Sequence, residues 1–556
     1  MYIMKKLLIL SLATLIVGCQ SHDFSYNPDE SIKNNVRSIF GVDFPEWQDW
    51  NSSESGVASV EPGSVLLVCV RDTSGFPKLL KVNTGESSTL SYDIPANNLG
   101  LYLERPDGTV VKYRGTTTRG VVAIPRRSST LPASLPSLSG PSDTYSSERS
   151  WPGFQKGTLW DMNSKPMTET PDYDEDFKDV MRAVIFTYFP NGRGYDNLPQ
   201  IKESGYYNEN SYPITTGLEP IVVSPIYRND GTSKEVESCD LYYYYFPGNV
   251  EPTEDYIKGL PLYRAIKLSD AIKPNDVLQK HQDYTLVYWN ESGEPSWQFP
   301  VGYKIGFMLR ENKASGNMKG ELWLDGRLNV KVNSWGNFKT SGLGPTDPRG
   351  AWMTVNKHIL MCWETGTDRD FNDLLLEVSG GIEPFDIPPV WPSEFFMFCF
   401  EDQNLGDYDL NDVVIRGRRL SETKVEYALM ACGAHDELYL RGISGKRLNG
   451  DTEVHAIFGK GPKTFINTVS HELDTPIVKD TVTVSKDFSF LTTQPWIYDK
   501  TRNTEVRIAT AGQDPHAIMI PWDFEWPLER QCVKDAYSRF NSWGMGNVTD
   551  NDWYKK

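Results

Sequence analysis

One acidic pattern occurs twice in this 556-residue chain. The first copy reads Cys362-Trp-Glu364-Thr-Gly-Thr-Asp368-Arg-Asp370-Phe-Asn372-Asp373, followed by three leucines. The second reads Cys399-Phe-Glu401-Asp402-Gln-Asn-Leu-Gly-Asp407-Tyr-Asp409-Leu-Asn411-Asp412, followed by Val-Val-Ile. Both have a cysteine, an aromatic residue and a glutamate, then a polar loop, then Asp-x-Asp-apolar-Asn-Asp entering an aliphatic run. Only the loop length differs.

In a loop running into a strand, residues i, i+2 and i+4 project to one side. Asp368, Asp370 and Asn372 are therefore expected to converge, with Asp407, Asp409 and Asn411 doing the same in the second copy. Phe371 would point the other way into a core. Asp373 and Asp412 close each motif where a strand starts, and Glu364 and Glu401 can reach back from the preceding strand. Carboxylates crowded in this way repel one another unless a cation lies between them. Flexible, all-oxygen ligation is what Ca²⁺ prefers, whereas Mg²⁺ asks for fewer protein ligands and more water. Two Ca²⁺ sites are therefore expected, with ligands drawn from Glu364, Asp368, Asp370, Asn372, Asp373 and from Glu401, Asp407, Asp409, Asn411, Asp412. Zinc would want histidine or cysteine, and the adjacent Cys362 and Cys399 sit at strand positions expected to face the core. The frame is not an EF-hand: it lacks Gly at loop position six and Glu at twelve, and a strand follows rather than a helix. Asp174-Glu-Asp176-Phe-Lys178-Asp179 is a degraded echo. Lys178 stands there where Asn should, so a solvated helix start is the expectation.

Other chemistry is poorly represented. His471-Glu472 has no second histidine, and GxSxG and P-loop patterns are absent. His435-Asp436-Glu437 reads as a charged hairpin tip rather than a dyad. No pair of facing carboxylates is indicated, as a glycosidase would need. The expectation is a chain without enzymatic activity.

The elements that would position these motifs are strands. Short β-branched and aromatic runs alternate with turn residues through most of the chain, with few helical stretches between them. The expected fold is mainly β: tandem antiparallel β-sandwich or jelly-roll domains. The boundaries read as follows: a polar tether at 20–56, a small β-sandwich at 57–125, and a Ser/Pro-rich linker at 126–150. A β-rich domain carrying the first motif then spans 151–387, and a second β-domain carrying the other spans 393–556. Asp174–Arg182 and Gln531–Asn541 are the expected helices, with a weak helical patch around Asp29–Phe40 inside the tether, and Ala183-Val-Ile-Phe-Thr-Tyr-Phe189 reads as a strand.

The N-terminus has Lys5-Lys6, the apolar run Leu7–Val17 and then Ile16-Val17-Gly18-Cys19. A basic segment before a short apolar run is a secretory signal, and its ending resembles the bacterial lipobox, in which the cysteine is acylated. Residues 1–19 are therefore expected to be a lipoprotein signal and Cys19 the lipidation site, tying the protein to a membrane of the cell envelope, the outer membrane by expectation. A net charge of −18 argues against a nucleic-acid partner. The six remaining cysteines (Cys69, Cys239, Cys362, Cys399, Cys432 and Cys532) have neither CxxC spacing nor a disulfide-framework pattern. Free thiols and bridges both remain open.

Roughly residues 280–556 resemble the LruC-type domain of bacterial exported proteins, preceded by a related domain with the same Asp-x-Asp-Phe-Asn-Asp signature. The matching pieces are Phe400-Glu-Asp with Asp407-Tyr-Asp-Leu-Asn-Asp, His435-Asp-Glu-Leu-Tyr-Leu, Pro515-His-Ala-Ile-Met-Ile-Pro521, Trp526-Pro-Leu-Glu529 and Ala536-Tyr-Ser-Arg-Phe540. The resemblance implies a cell-surface β-sandwich, often a lipoprotein, with a calcium site. The functional expectation is a calcium-stabilised surface protein that contacts glycan, matrix or protein, or serves envelope assembly. Two alternatives are a glycan-active hydrolase with its cleft in the aromatic-rich 151–300 region and a purely structural anchor for other surface proteins.

Overall fold

The computed structural model describes residues 28–115, 168–169, 175–189, 212–229, 239–268, 282–292, 294–311, 320–325, 328, 350–364, 371–383, 391–402, 406–522 and 524–555. The signal, Cys19, the 126–150 linker and the loop positions Asp368 and Asp370 lie outside these. The protein is mainly β, built from several antiparallel sheets.

The middle domain has two facing sheets. One holds six strands, in which His358–Trp363 and Leu374–Ser379 form a central hairpin flanked by Gly350–Val355 and Val222–Arg228. The other holds four, centred on Cys239–Pro247 and Tyr303–Glu311. The run Leu241-Tyr242-Tyr243-Tyr244 shows how a strand divides its residues. Leu241 and Tyr243 enter the core between the sheets, while Tyr242 and Tyr244 pack in a separate cluster on the outer face. The six-stranded sheet is likewise buried on both faces. Its outer face is covered by the helix Glu175–Tyr188, which also packs on the small N-terminal β-domain through Leu67, Cys69 and Leu79. Val180 to Phe189 is nearly all buried because two sheets enclose the helix, so the usual polar stripe is missing.

The C-terminal domain repeats this plan. A five-stranded sheet carries Phe396–Phe400 beside Val413–Ser421 and faces a three-stranded sheet. Its outer face is covered by helical segments from both ends of the chain. One is Pro28–Phe40; the others are Val533–Ala536 and Phe540–Gly544, two short helices where one was expected. The helical patch expected around Asp29–Phe40 is the helix Pro28–Phe40, and the stretch expected to be a polar tether is folded structure from Pro28 onward. Val36 and Phe40, one helical turn apart, are buried, and Trp50 is 1% exposed with its indole N–H donating to the Gln513 carbonyl at 2.8 Å. The reason is amphipathicity carried by few residues: Ile32, Val36, Ile39 and Phe40 form one apolar face in an otherwise charged segment.

The small N-terminal β-domain is held against the C-terminal domain. The Phe490 N–H donates to Asp93 at 3.0 Å, and the Glu422 N–H to the Thr84 carbonyl at 2.8 Å. Cys69, Cys239, Cys362, Cys399, Cys432 and Cys532 are all buried free thiols.

Candidate functional site: two acidic hairpins

Each motif copy is a β-hairpin, and the strands of the two hairpins correspond position by position where they meet the loop. In the first, strand His358–Trp363 leads into Glu364, and strand Leu374–Ser379 starts directly after Asp373, with Trp363 opposite Leu374. In the second, Phe396–Phe400 leads into Glu401 and Val413–Ser421 starts after Asp412, with Phe400 opposite Val413. Trp363 and Phe400 both enter the sandwich interior, whereas Cys362 and Cys399 both face the helix-covered side. Those cysteines belong to the core, where burial pushes each thiol far up and leaves it protonated.

The described ends of the loops, at Glu364 and Phe371 and at Glu401 and Leu410, share their geometry too. Phe371 and Leu410 occupy the same motif position, and both adopt the left-handed conformation, at φ 57° and 58°. Both are fully buried on the helix-covered side. The preceding glutamate explains how such a residue is held there. The Phe371 N–H donates to Glu364 Oε2 at 3.3 Å, and the Leu410 N–H donates to Glu401 Oε1 at 2.5 Å. The motif asparagines also play one role. Asn372 Nδ2 donates to the Phe189 carbonyl at 2.8 Å, and Asn411 Nδ2 to the Pro527 carbonyl at 3.4 Å. Asn372 and Asn411 thus tie the loop to a neighbouring segment, a role the expectation of ligation did not include.

The second copy can be followed further. Glu401, Asp407 and Asp409 each bring a carboxylate oxygen within 4.8 Å of the others, with Asp407 exposed and the other two buried. Asp409 is fixed from two directions, accepting from the Asn411 N–H at 3.2 Å and from the Arg530 N–H at 2.7 Å. Asp412 accepts from the Asp402 N–H at 2.6 Å. Burial, reinforced by Asp412, Asp409 and Asp407, holds the Glu401 carboxyl well above the usual range. Burial and Asp402 do the same to Asp412, burial and Asp407 push Asp409 up to about 7, and burial and Asp436 push Asp402 up to about 6. So many carboxylates cannot all ionise here without positive charge among them. The donors are all oxygen, partly buried and supplied by loops, which suits Ca²⁺ better than Zn²⁺.

In the first copy, Glu364, Asn372 and Asp373 are buried together. Asn229 brackets them, donating from its side chain to Asn372 Oδ1 at 2.8 Å and from its backbone to the Asp373 carbonyl at 3.0 Å. Two acidic neighbours of the second copy were missing from the expected ligand set. Asp402 stands inside the motif text itself. Glu529 feels both Asp407 and Asp402 but arrives from more than a hundred residues downstream, and its only sequence signal was the Trp526-Pro-Leu-Glu529 piece.

The degraded echo is a helix start. Asp176 pairs with Arg114, and Lys178 with Glu175 at 2.9 Å. His435 stacks on Phe465 at 4.7 Å, and Asp436 and Glu437 pair with Arg502 and Lys500 just before the strand Leu438–Arg441. Asp436 and Glu437 thus make charge pairs at the foot of an edge strand.

The site and fold define a mainly β protein with a duplicated acidic hairpin. A family model described as "Domain of unknown function (DUF4842)" matches residues 460–554. The match supplies both outer strands of the five-stranded sheet, Val478–Thr483 and Ala517–Pro521, around a centre built by residues 396–431. It also supplies Glu529, so the second acidic site is shared between the matched region and what precedes it. No curated protein and no solved structure matches the chain.

Proposed function

We propose that this chain is a lipid-anchored envelope protein of the LruC type, whose two acidic hairpins bind Ca²⁺ and whose sandwiches present a binding surface. Its role is contact with glycan, matrix or protein, or envelope assembly, rather than catalysis. The observation that carries this reading is the convergence of Glu401, Asp407 and Asp409 in a loop whose geometry recurs at Glu364 and Phe371. A loop that concentrates charge in this way gains order when a cation fills it, which suits a protein working outside the cell, where calcium is plentiful. Cys19 supplies the membrane attachment in this reading.

A glycan and matrix-protein binding screen with the full mature chain, run in millimolar calcium and again in EGTA, tests the functional part. Retention of a ligand in calcium and its loss in EGTA is the expected result. Cleavage of any glycan on the array, or ligand retention indifferent to EGTA, would contradict it.

A further inference from the structure

Trp47 is 66% exposed, an unusual state for a tryptophan, and it is not isolated. Its six-membered ring lies directly against Gly546, where a side-chain carbon would fall 2.0 Å from it, and Phe44 covers Gly544 in the same way. Met545 and Val548, which flank that contact, are 45% and 74% exposed. Gly546 has φ +91°, so both the backbone and the ring above it ask for glycine here. The result is an apolar surface of Trp47, Met545 and Val548, made from the two ends of the chain.

Lys33 Nζ meets Glu46 Oε1 at 3.3 Å, placing the residue next to Trp47 beside the helix Pro28–Phe40. Lys33 lies five residues into that helix from Pro28, about 7.5 Å along the axis. Between Cys19 and Pro28 stand only eight residues, 20–27, which reach about 30 Å when fully extended. A body tethered so briefly stays at the lipid surface, and Trp47 follows Glu46, which pairs with the helix at whose first residue, Pro28, that stretch joins the fold. Tryptophan is the residue that favours the membrane–water boundary, its ring apolar and its N–H able to bond headgroups.

We propose that the Trp47–Met545–Val548 surface rests on the bilayer to which Cys19 is attached and so fixes how the two sandwiches stand above it. The inference rests on the lipid-anchor part of the proposed function. With a chain charge of −18, zwitterionic headgroups suit the contact better than anionic ones.

The test uses the full acylated chain in phosphatidylcholine vesicles, some with brominated acyl chains. Val548→Cys is labelled with an environment-sensitive fluorophore; the described native thiols are buried and stay unlabelled. Leu218→Cys, 76% exposed on the middle domain, serves as the control position. The label at 548 should shift to the blue and be quenched by the brominated lipid, the label at 218 should do neither, and Trp47→Ser should at least halve the effect at 548. If the protein floats with the vesicles while the label at 548 remains in water, this inference fails and the anchor stands. A shift that tracks protein concentration without lipid quenching overturns it in favour of self-association. Failure to float overturns the anchor and the inference together.

Discussion

The two acidic hairpins are one device in two settings. Glu364 and Glu401 each hold a buried left-handed residue, Phe371 or Leu410, and each hairpin turns its cysteine to the helix-covered face. The settings differ in what lies around the loop. Among the described residues, the first is braced by the Phe189 carbonyl and Asn229. The second is crowded by additional carboxylates, Asp402 and Glu529, and uses Tyr408 where the first has Arg369. A short motif therefore sets the frame of a site, while its charge is set by a loop residue, Asp402, together with one remote in sequence, Glu529.

Tyr408 should separate the settings most strongly. It adopts φ 56°, is fully buried, packs on Phe40 at 5.1 Å and donates to Asp514 Oδ2 at 2.8 Å. Its carbonyl also accepts from the Val533 N–H at 2.8 Å. Tyr408→Ala should destabilise the protein by about 3–5 kcal/mol in denaturant unfolding. Tyr408→Phe should cost only about 1 kcal/mol, for the lost hydrogen bond. Equal costs would mean the ring is not the seat of the N-terminal helix.

Glu394 separates burial from crowding. It is buried outside both hairpins, neither carboxylate oxygen has a hydrogen-bond partner, and burial pushes it up to about 8 against the opposing pull of Lys555 and Lys78. A carboxyl raised on folding adds stability that is complete below its unfolded value, near 4.5, and is lost as pH rises through about 8. The wild type should therefore lose on the order of 3 kcal/mol between pH 5 and pH 9 from this group, and Glu394→Gln should flatten that slope. Calcium should leave the slope unchanged. An identical pH profile for the variant would show Glu394 to be solvated.

Gly433 touches the second hairpin alone. A side-chain carbon there would fall 2.0 Å from Asn411 Oδ1, and the Gly433 N–H donates to the Asn411 carbonyl at 2.9 Å. Gly433→Ala should cost about 1–3 kcal/mol by overpacking and should weaken calcium at the second site only. A variant as stable as the parent would show that Asn411 can turn aside. The smallest effect belongs to Asp176→Ala in the degraded echo, where losing a surface pair with Arg114 should cost under about 1 kcal/mol and leave calcium affinity untouched.

The strands, the hairpin placement of both motifs and the inward-facing cysteines were legible because period-two alternation and an abrupt aliphatic run are local signals. The helix Glu175–Tyr188 was legible at its acidic start. Its buried second half, Ala183-Val-Ile-Phe-Thr-Tyr188, looked like a strand, since only the two enclosing sheets reveal it as helix. The helix Pro28–Phe40 was legible as a weak patch at Asp29–Phe40, but its packing was not, because four apolar side chains among charges do not show that they and Trp50 join the C-terminal core. Glu529 was hidden by sequence distance, and the asparagines' role by their chemistry. An amide oxygen ligates as well as a carboxylate does, and nothing in the chain tells which carbonyl its nitrogen will find.

Calcium titration of the full mature chain, by calorimetry and by melting in the same buffer, shows whether the two hairpins hold cations. Binding should be detected, and at a hundredfold excess over Kd each site should add about 2.7 kcal/mol to the folded state, which EGTA removes and Mg²⁺ restores less well. Asp409→Ala should abolish the share belonging to the second hairpin, and Asp370→Ala that of the first. If the chain takes up no calcium and melts identically in EGTA and in millimolar calcium, the hairpins are polar turns and the account of both sites is wrong.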